Sequence, residues 1–200
     1  MWEDRFNRPD YLFGTEPARA LRDHVAWLVP GQRALAVADG EGRNSVFMAE
    51  QGLHVTAADN APSALAKARA LADARGVAVD FMQTDLLADW PAEWLGAYDL
   101  VVGIFIQFTG PTERAAMFAR MAKCLRPGGV LLLHGYRPEQ LAYGTGGPRA
   151  VEKLYTEAML RAAFAGWQVA ECRAYDRDIQ EGTGHAGMSA LIDFIARKPG

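Results

Sequence analysis

The sequence predicts an α/β fold: a doubly wound, mostly parallel seven-stranded sheet closed by a C-terminal antiparallel hairpin. Three observations carry that expectation. Strand and helix patterns alternate along the chain, a turn with two glycines joins the first strand to the helix behind it, and two long strand-like segments at the end have no helix between them. The 200 residues, half of them hydrophobic, suffice for one domain with a sizeable core. No repeat, low-complexity stretch or linker divides the chain, so residues 1–200 are expected as a single domain.

The elements follow in order. Residues 1–30 read as an N-terminal lid and leading helix. Residues 35–38 are the first strand, and residues 44–51 the helix after the glycine turn. Residues 54–58 form the second strand, and Pro62 sits in the first turn of an alanine-rich helix that runs to Arg75. Val77, Val79 and Phe81 alternate at period two in a third strand over residues 77–82. Residues 100–106 are continuously apolar, as in a central strand covered on both faces. Residues 112–125 carry Phe118, Met121 and Leu125 at helical spacing, and Pro127-Gly128-Gly129 is expected as the turn that ends that helix before a strand at 130–133. Residues 135–150 form a loop beside the cleft, and residues 151–164 read as one helix. Residues 169–179 and 189–197 are the closing hairpin, with a loop at 180–187 that holds His185.

Composition narrows the function. A net charge of −3 and a pI near 5.8 give no pull toward nucleic acid or an anionic membrane. The longest apolar run, residues 100–108, is far below the roughly 20 residues of a membrane span. The charged start, Trp2-Glu3-Asp4-Arg5, lacks the apolar core of a secretion signal, and Cys124 and Cys172 lack metal-ligand spacing, so a cytoplasmic protein without a bound metal is expected. Trp90, Trp94 and Trp167 are expected in or over the core, and His24 and His54 away from the cleft.

The turn Asp39-Gly40-Glu41-Gly42-Arg43-Asn44 is the most informative segment. A strand running through glycines into a helix is a nucleotide-cofactor site, because glycine lets the backbone approach a ligand closely. The acids flanking Gly40 decide which cofactor. Unit charges about 4 Å apart interact by roughly 1–4 kcal/mol between water and an effective dielectric of 20. A dinucleotide would bring its pyrophosphate against those acids. S-adenosylmethionine (SAM) brings a sulfonium and an ammonium, so the loop favours SAM over a nicotinamide dinucleotide. Asp59, nineteen residues past Gly40 and at the end of the second strand, suits the ribose hydroxyls. Asp85 and Leu86, after the third strand, suit the adenine amino group and ring. Asn60 and Ile104 complete the expected cofactor set with Arg43 and Asn44.

The chain resembles the class I SAM-dependent methyltransferases, and within them a bacterial subgroup related to tellurite-resistance and thiopurine-type methyltransferases. The closer match is carried by Trp2-Glu3-Asp4-Arg5-Phe6, Tyr11-Leu12-Phe13-Gly14-Thr15-Glu16-Pro17, Gly40-Glu41-Gly42-Arg43-Asn44, Leu125-Arg126-Pro127-Gly128-Gly129, Thr145-Gly146-Gly147-Pro148 and Glu181-Gly182-x-x-His185-x-Gly187. The resemblance implies a Rossmann-like fold and methyl transfer from SAM, with S-adenosylhomocysteine (SAH) as product. It implies a small-molecule acceptor, a thiol or a metalloid oxyanion such as tellurite or selenite, and a monomer or homodimer. The chain departs from the pattern at Ala36, where the class has an acid, and at Ala38, where it has glycine. The acid's contact to the methionine part of SAM must then come from Asp39, Glu41 or the N-terminal segment. Gln107 and His134 also depart from the subgroup's usual histidine and glutamate.

Ligands of open α/β sheets sit beyond the carboxyl ends of the strands. That rule nominates His185 and His134 as bases and Tyr136 as a pocket residue. Arg5, Tyr11, Phe13, Gln107, Arg137, Tyr143 and Arg149 are the expected lid and substrate residues. A protein or other macromolecule as acceptor, and a SAM-binding regulator without catalysis, stand beside this reading as alternatives.

Overall fold

Alternating side chains along each strand build two cores, one on either face of a sheet. In β1 (Arg33–Val37), Ala34 and Ala36 turn to one face while Leu35 and Val37 turn to the other, and all four are buried. β4 (Tyr98–Ile104) repeats the alternation, with Leu100 and Val102 opposite Val101. This is the two-sided burial of a doubly wound sheet. The structure is a computed structural model that describes residues 2–88 and 90–200.

Among the described residues the sheet holds seven strands in the order β3-β2-β1-β4-β5-β7-β6. The other strands are β2 (His54–Asp59), β3 (Asp80–Gln83), β5 (Leu125–Tyr136), β6 (Gln168–Glu181) and β7 (His185–Arg197). β1 to β5 pair in parallel, and β7 enters antiparallel between β5 and β6. The helices are α1 (Trp2–Phe6), α2 (Arg19–Asp23), α3 (Arg43–Glu50), α4 (Pro62–Arg75), α5 (Pro111–Cys124), α6 (Gln140–Tyr143) and α7 (Glu157–Ala163). Met117, Phe118 and Met121 of α5 and Leu160 of α7 pack on one face, while Leu21 of α2 and Met48 of α3 pack on the other. Trp94 is buried in the first of these cores, with Trp90 and Trp167 against its edge. Among the described residues no helix is long and apolar enough to cross a membrane.

The predicted α/β class and closing hairpin are present, with four local differences. β3 starts at Asp80 rather than Val77, because Gly76 caps α4 in the left-handed region and residues 77–79 cross back before pairing begins at Thr56↔Asp80. The Pro127-Gly128-Gly129 turn does not end the helix. α5 stops at Cys124, and residues 126–129 bulge from β5 opposite Asp99 alone, between the pairs Tyr98↔Leu125 and Leu100↔Val130. The helix expected over 151–164 is interrupted. Val151–Lys153 makes one 3₁₀ turn, the Tyr155 amide donates to the Tyr136 carbonyl at 2.9 Å, and the Thr156 hydroxyl accepts from the Met159 amide at 3.2 Å to start α7. Finally, the hairpin loop is only residues 182–184, so His185 is the first residue of β7, opposite Glu181.

Candidate active site

The carboxyl ends of β1, β2 and β4, the start of α5 and the tip of the β6–β7 hairpin surround a cavity of about 920 Å³. That volume lies at the upper end of the usual range for small-molecule sites, roughly 300–1,000 Å³. The turn after β1 forms its floor. Gly42, at φ +89°, starts α3 hard against α4: a Cβ there would lie 2.7 Å from the Cβ of Ala68. Only glycine permits both that φ and that approach. Ala38 adopts φ +51° in the same turn, a left-handed conformation carried by a residue with a side chain.

The two acids beside Gly40 point in different directions. Asp39 lines the cavity, and its carboxylate accepts from the Ser45 hydroxyl at 2.5 Å and the Ser45 amide at 3.2 Å. Burial pushes its pKa up to about 6, against the opposing help of Ser45, and the nearby Asp59 adds to the rise. Glu41 instead faces away from the cavity. It accepts from the Leu12 amide at 2.8 Å and pairs with the Lys67 ammonium at 2.5 Å, tying the N-terminal segment to the turn. Asp59 receives the amides of Gly40 and Ala61, each at 2.9 Å, and burial raises its pKa. Asp85 is exposed at the rim, with Leu86 buried beneath it and Ile104 across the floor. Asn60 and Asn44 line the same cavity. No ion pair neutralises Asp39, Asp59 or Asp85 among the described residues, so this end suits a cationic ligand.

His185 stands at the other side, sandwiched between the rings of Phe13 (4.4 Å) and Phe105 (4.2 Å). Its Nδ1 lies 2.6 Å from the Tyr136 hydroxyl, which is its one hydrogen bond among the described residues. Burial holds its pKa well below 6.5, and the charges of Arg43, His134 and Arg5 act in the same direction. The imidazole is therefore neutral at physiological pH. Phe105 has φ +56°, where the chain leaves β4, and this puts its ring over His185.

The remaining expected site residues divide between cavity and scaffold. Arg5, Phe13, Arg43, Gln107 and Tyr136 line the cavity. Arg43 nonetheless works as a clasp, paired with Glu181 at 2.7 Å with both side chains buried. The Gln107 amide is spent on backbone, donating to the carbonyls of Tyr136 (2.8 Å) and Lys153 (3.2 Å) and accepting from the Tyr136 amide at 2.6 Å. His134 does not reach the cavity. Phe105 covers it, and its Nδ1 lies 2.6 Å from the Asp193 carboxylate within the sheet. Tyr11 gives its hydroxyl to the Lys67 carbonyl at 3.0 Å, outside the cavity. Arg137 and Tyr143 both bind Asp176 on the far side of β6, and Arg149 is exposed outside the lining. Of the 135–150 loop, Gly146, Gly147 and Pro148 line the cavity. His24 and His54 lie away from it, as expected.

Phe6 lines the cavity within the expected N-terminal lid, but sequence reasoning did not single out Trp2 and Glu3 of α1 as lining residues. Glu3 accepts from the Ser63 amide at 3.1 Å and from its hydroxyl, capping the start of α4 from a distant segment, a pairing that no local pattern encodes. Sequence reasoning also missed Thr109, Gly110, Glu113 and Lys153 around the start of α5, whereas Phe108, at the strand end, lines the cavity as expected.

Comparison with known proteins agrees with this geometry. Residues 34–129, the segment bearing the cavity floor, match the family described as "Methyltransferase domain". A ubiquinone biosynthesis O-methyltransferase from Xylella fastidiosa is 34% identical over 137 residues, covering 66% of this chain and 53% of that protein. A demethylmenaquinone methyltransferase from Thermus thermophilus is 34% identical over 110 residues, covering 54% and 48%. The chain thus spans about half the length of the curated relatives it matches. The crystal structure of TehB from Haemophilus influenzae superposes with a TM-score of 0.72 at 17% identity, over 98% of this chain and 65% of that one. The domain match falls on the strands and the turn that build the cavity floor, and the chain is similar in fold to known methyltransferases.

Proposed function

We propose that the cavity binds SAM and transfers its methyl group to a small-molecule acceptor, with His185 taking the acceptor's proton. One observation carries the reading: a cavity at the strand ends has an uncompensated acidic end at Asp39, Asp59 and Asp85 and a neutral imidazole at the other side. Asp39 would hold the charged methionine end of SAM in place of the acid missing at Ala36. Asp59 would take the ribose hydroxyls, and Asp85 with Leu86 the adenine. SAM bound there would supply the methyl group, leaving as SAH with the electron pair of the broken S–CH₃ bond on its sulfur. The His185 imidazole would take the proton that the acceptor loses as its bond to the methyl carbon forms. Alignment of the two reactants accounts for roughly 7–11 kcal/mol of such a barrier, so positioning suffices without a metal.

The relatives named for ubiquinone biosynthesis and for demethylmenaquinone support a small acceptor with an acidic hydroxyl or carbon. A thiol or a metalloid oxyanion also fits a base of this kind. The test is an SAH-release assay on purified protein with phenols, small thiols, tellurite and selenite, alongside calorimetry with SAM. Turnover that falls at least a hundredfold in His185→Ala, with SAM binding retained, supports the reading. Absence of SAM binding refutes it.

A further inference from the structure

The two ends of the cavity differ in charge, and the acceptor end has features that the methyl-transfer reading does not use. The Val151–Lys153 turn packs on the start of α5, where the Arg114 guanidinium donates to the Glu152 carbonyl at 2.6 Å. Lys153 there is half-buried and lines the cavity. Its ammonium donates to the Phe108 carbonyl at 3.0 Å and has no carboxylate partner among the described residues. A half-buried ammonium with one carbonyl partner keeps donors free for an anion in the cavity. Beside it, α5 spans 14 residues and begins at Gly110-Pro111 with no side-chain cap, so its first-turn amides present partial positive charge. Thr109, the residue before that cap, is 6% exposed and lines the cavity, and its Oγ1 has no hydrogen-bond partner among the described residues. Arg5, stacked on Trp2 at 4.5 Å, adds a cation without an ion pair at the cavity wall.

Resting on the SAM reading above, we propose that this end of the cavity is an anion subsite that selects acceptors carrying a carboxylate or similar oxyanion, through Lys153, Thr109 and the first turn of α5. One group opposes it. The Glu113 carboxylate lies over Gly110, where a Cβ would meet its Oε2 at 3.2 Å. Glu113 is exposed and without an ion pair among the described residues, so it can swing into water when an anion arrives. It acts as a weak internal competitor for the same helix terminus.

The test is calorimetry on the full chain saturated with SAH, using benzoate, benzyl alcohol and benzylamine as probes of one shape and three charges. Benzoate is expected to bind at least tenfold more tightly than either of the others. Lys153→Gln is expected to weaken benzoate about tenfold, and Thr109→Val several-fold, each leaving SAH affinity unchanged. Glu113→Gln is expected to tighten benzoate several-fold, a gain that a misfolded variant cannot produce. Equal affinities for the three probes, or Lys153→Gln and Glu113→Gln both without effect on benzoate, would overturn the subsite. Failure of SAH itself to bind would instead remove the cofactor reading, so the two failures are distinguishable.

Discussion

Asp39 is held where its charge is disfavoured, and pH reveals that cost. Its folded pKa of about 6 lies above the ordinary 3.8. Below 3.8 both folded and unfolded chains hold the proton and no penalty arises. As pH rises through the folded value, the unfolded chain has already released it, and stability falls by on the order of 1–3 kcal/mol. Asp39→Asn is therefore expected to be more stable than the parent by that amount at pH 7.5 and indistinguishable near pH 4, as read by urea unfolding. It should also lose most of its SAM affinity. An equal difference at both pH values would refute the assignment. Ala38 offers a second check. Its left-handed φ costs about 1–2 kcal/mol, while glycine costs about 0.5–1 kcal/mol in unfolded-chain entropy. Ala38→Gly is expected to raise the urea midpoint by the equivalent of up to about 1 kcal/mol, and a net loss would mean the turn is not strained. The sequence made Asp39 and Glu41 look equivalent, since both flank Gly40. Which one faces the cavity depends on Leu12, whose amide claims Glu41 from 29 residues away, and no local pattern encodes that.

Helices and strands with strong local signals were readable in the sequence, whereas elements defined by a distant partner were not. Pro62–Arg75 matches its predicted bounds because proline at one end and Gly76 at the other fix them locally. The interrupted helix at 151–164 is different, because the Tyr136 carbonyl holds Tyr155 extended. The same dependence governs the clasp between the hairpin and the N-terminal segment. Glu181 accepts from the Arg19 amide at 2.9 Å and pairs with buried Arg43. Removing it leaves a buried guanidinium unpaired, which typically costs about 3–5 kcal/mol. Glu181→Ala is expected to speed hydrogen exchange at the Thr183 and Gly184 amides and to raise the KM for SAM. Unchanged exchange at those amides would show that the clasp is not what secures the segment.

The molecule as a whole is joined across its antiparallel half by Asp193. Its carboxylate meets His134 at 2.6 Å, His24 at 3.1 Å, Tyr175 at 3.1 Å and Arg173 at 3.2 Å, linking β5, β6, β7 and the end of α2. Burial opposes its charge, yet the two histidines hold the carboxyl far below the usual range. His134 therefore has a structural place in this network, which its position at a strand end did not reveal. Asp193→Asn is expected to destabilise the fold by about 3–5 kcal/mol in urea unfolding. The hydrogen bond to Asp193 raises the pKa of His24. That contribution is fully present below 6.5 and is lost as pH rises through the raised value, so the stability gap between the parent and His24→Gln should shrink above pH 6.5. A gap that is constant across this range would exclude the proton linkage.

The carbonyl of Leu12 receives the amides of both Thr183 and Gly184, and a Cβ on Gly182 would lie 2.4 Å from it. Residues 12 and 13 are thus seated on a hairpin tip about 170 positions further along the chain. Until that hairpin has folded, the segment has no berth there, and the ring of Phe13 lacks the His185 imidazole and Gly184 that cover it. This wall of the chamber therefore depends on two segments that meet only in the folded state, and a variant that cannot close the hairpin would leave the chamber open to water.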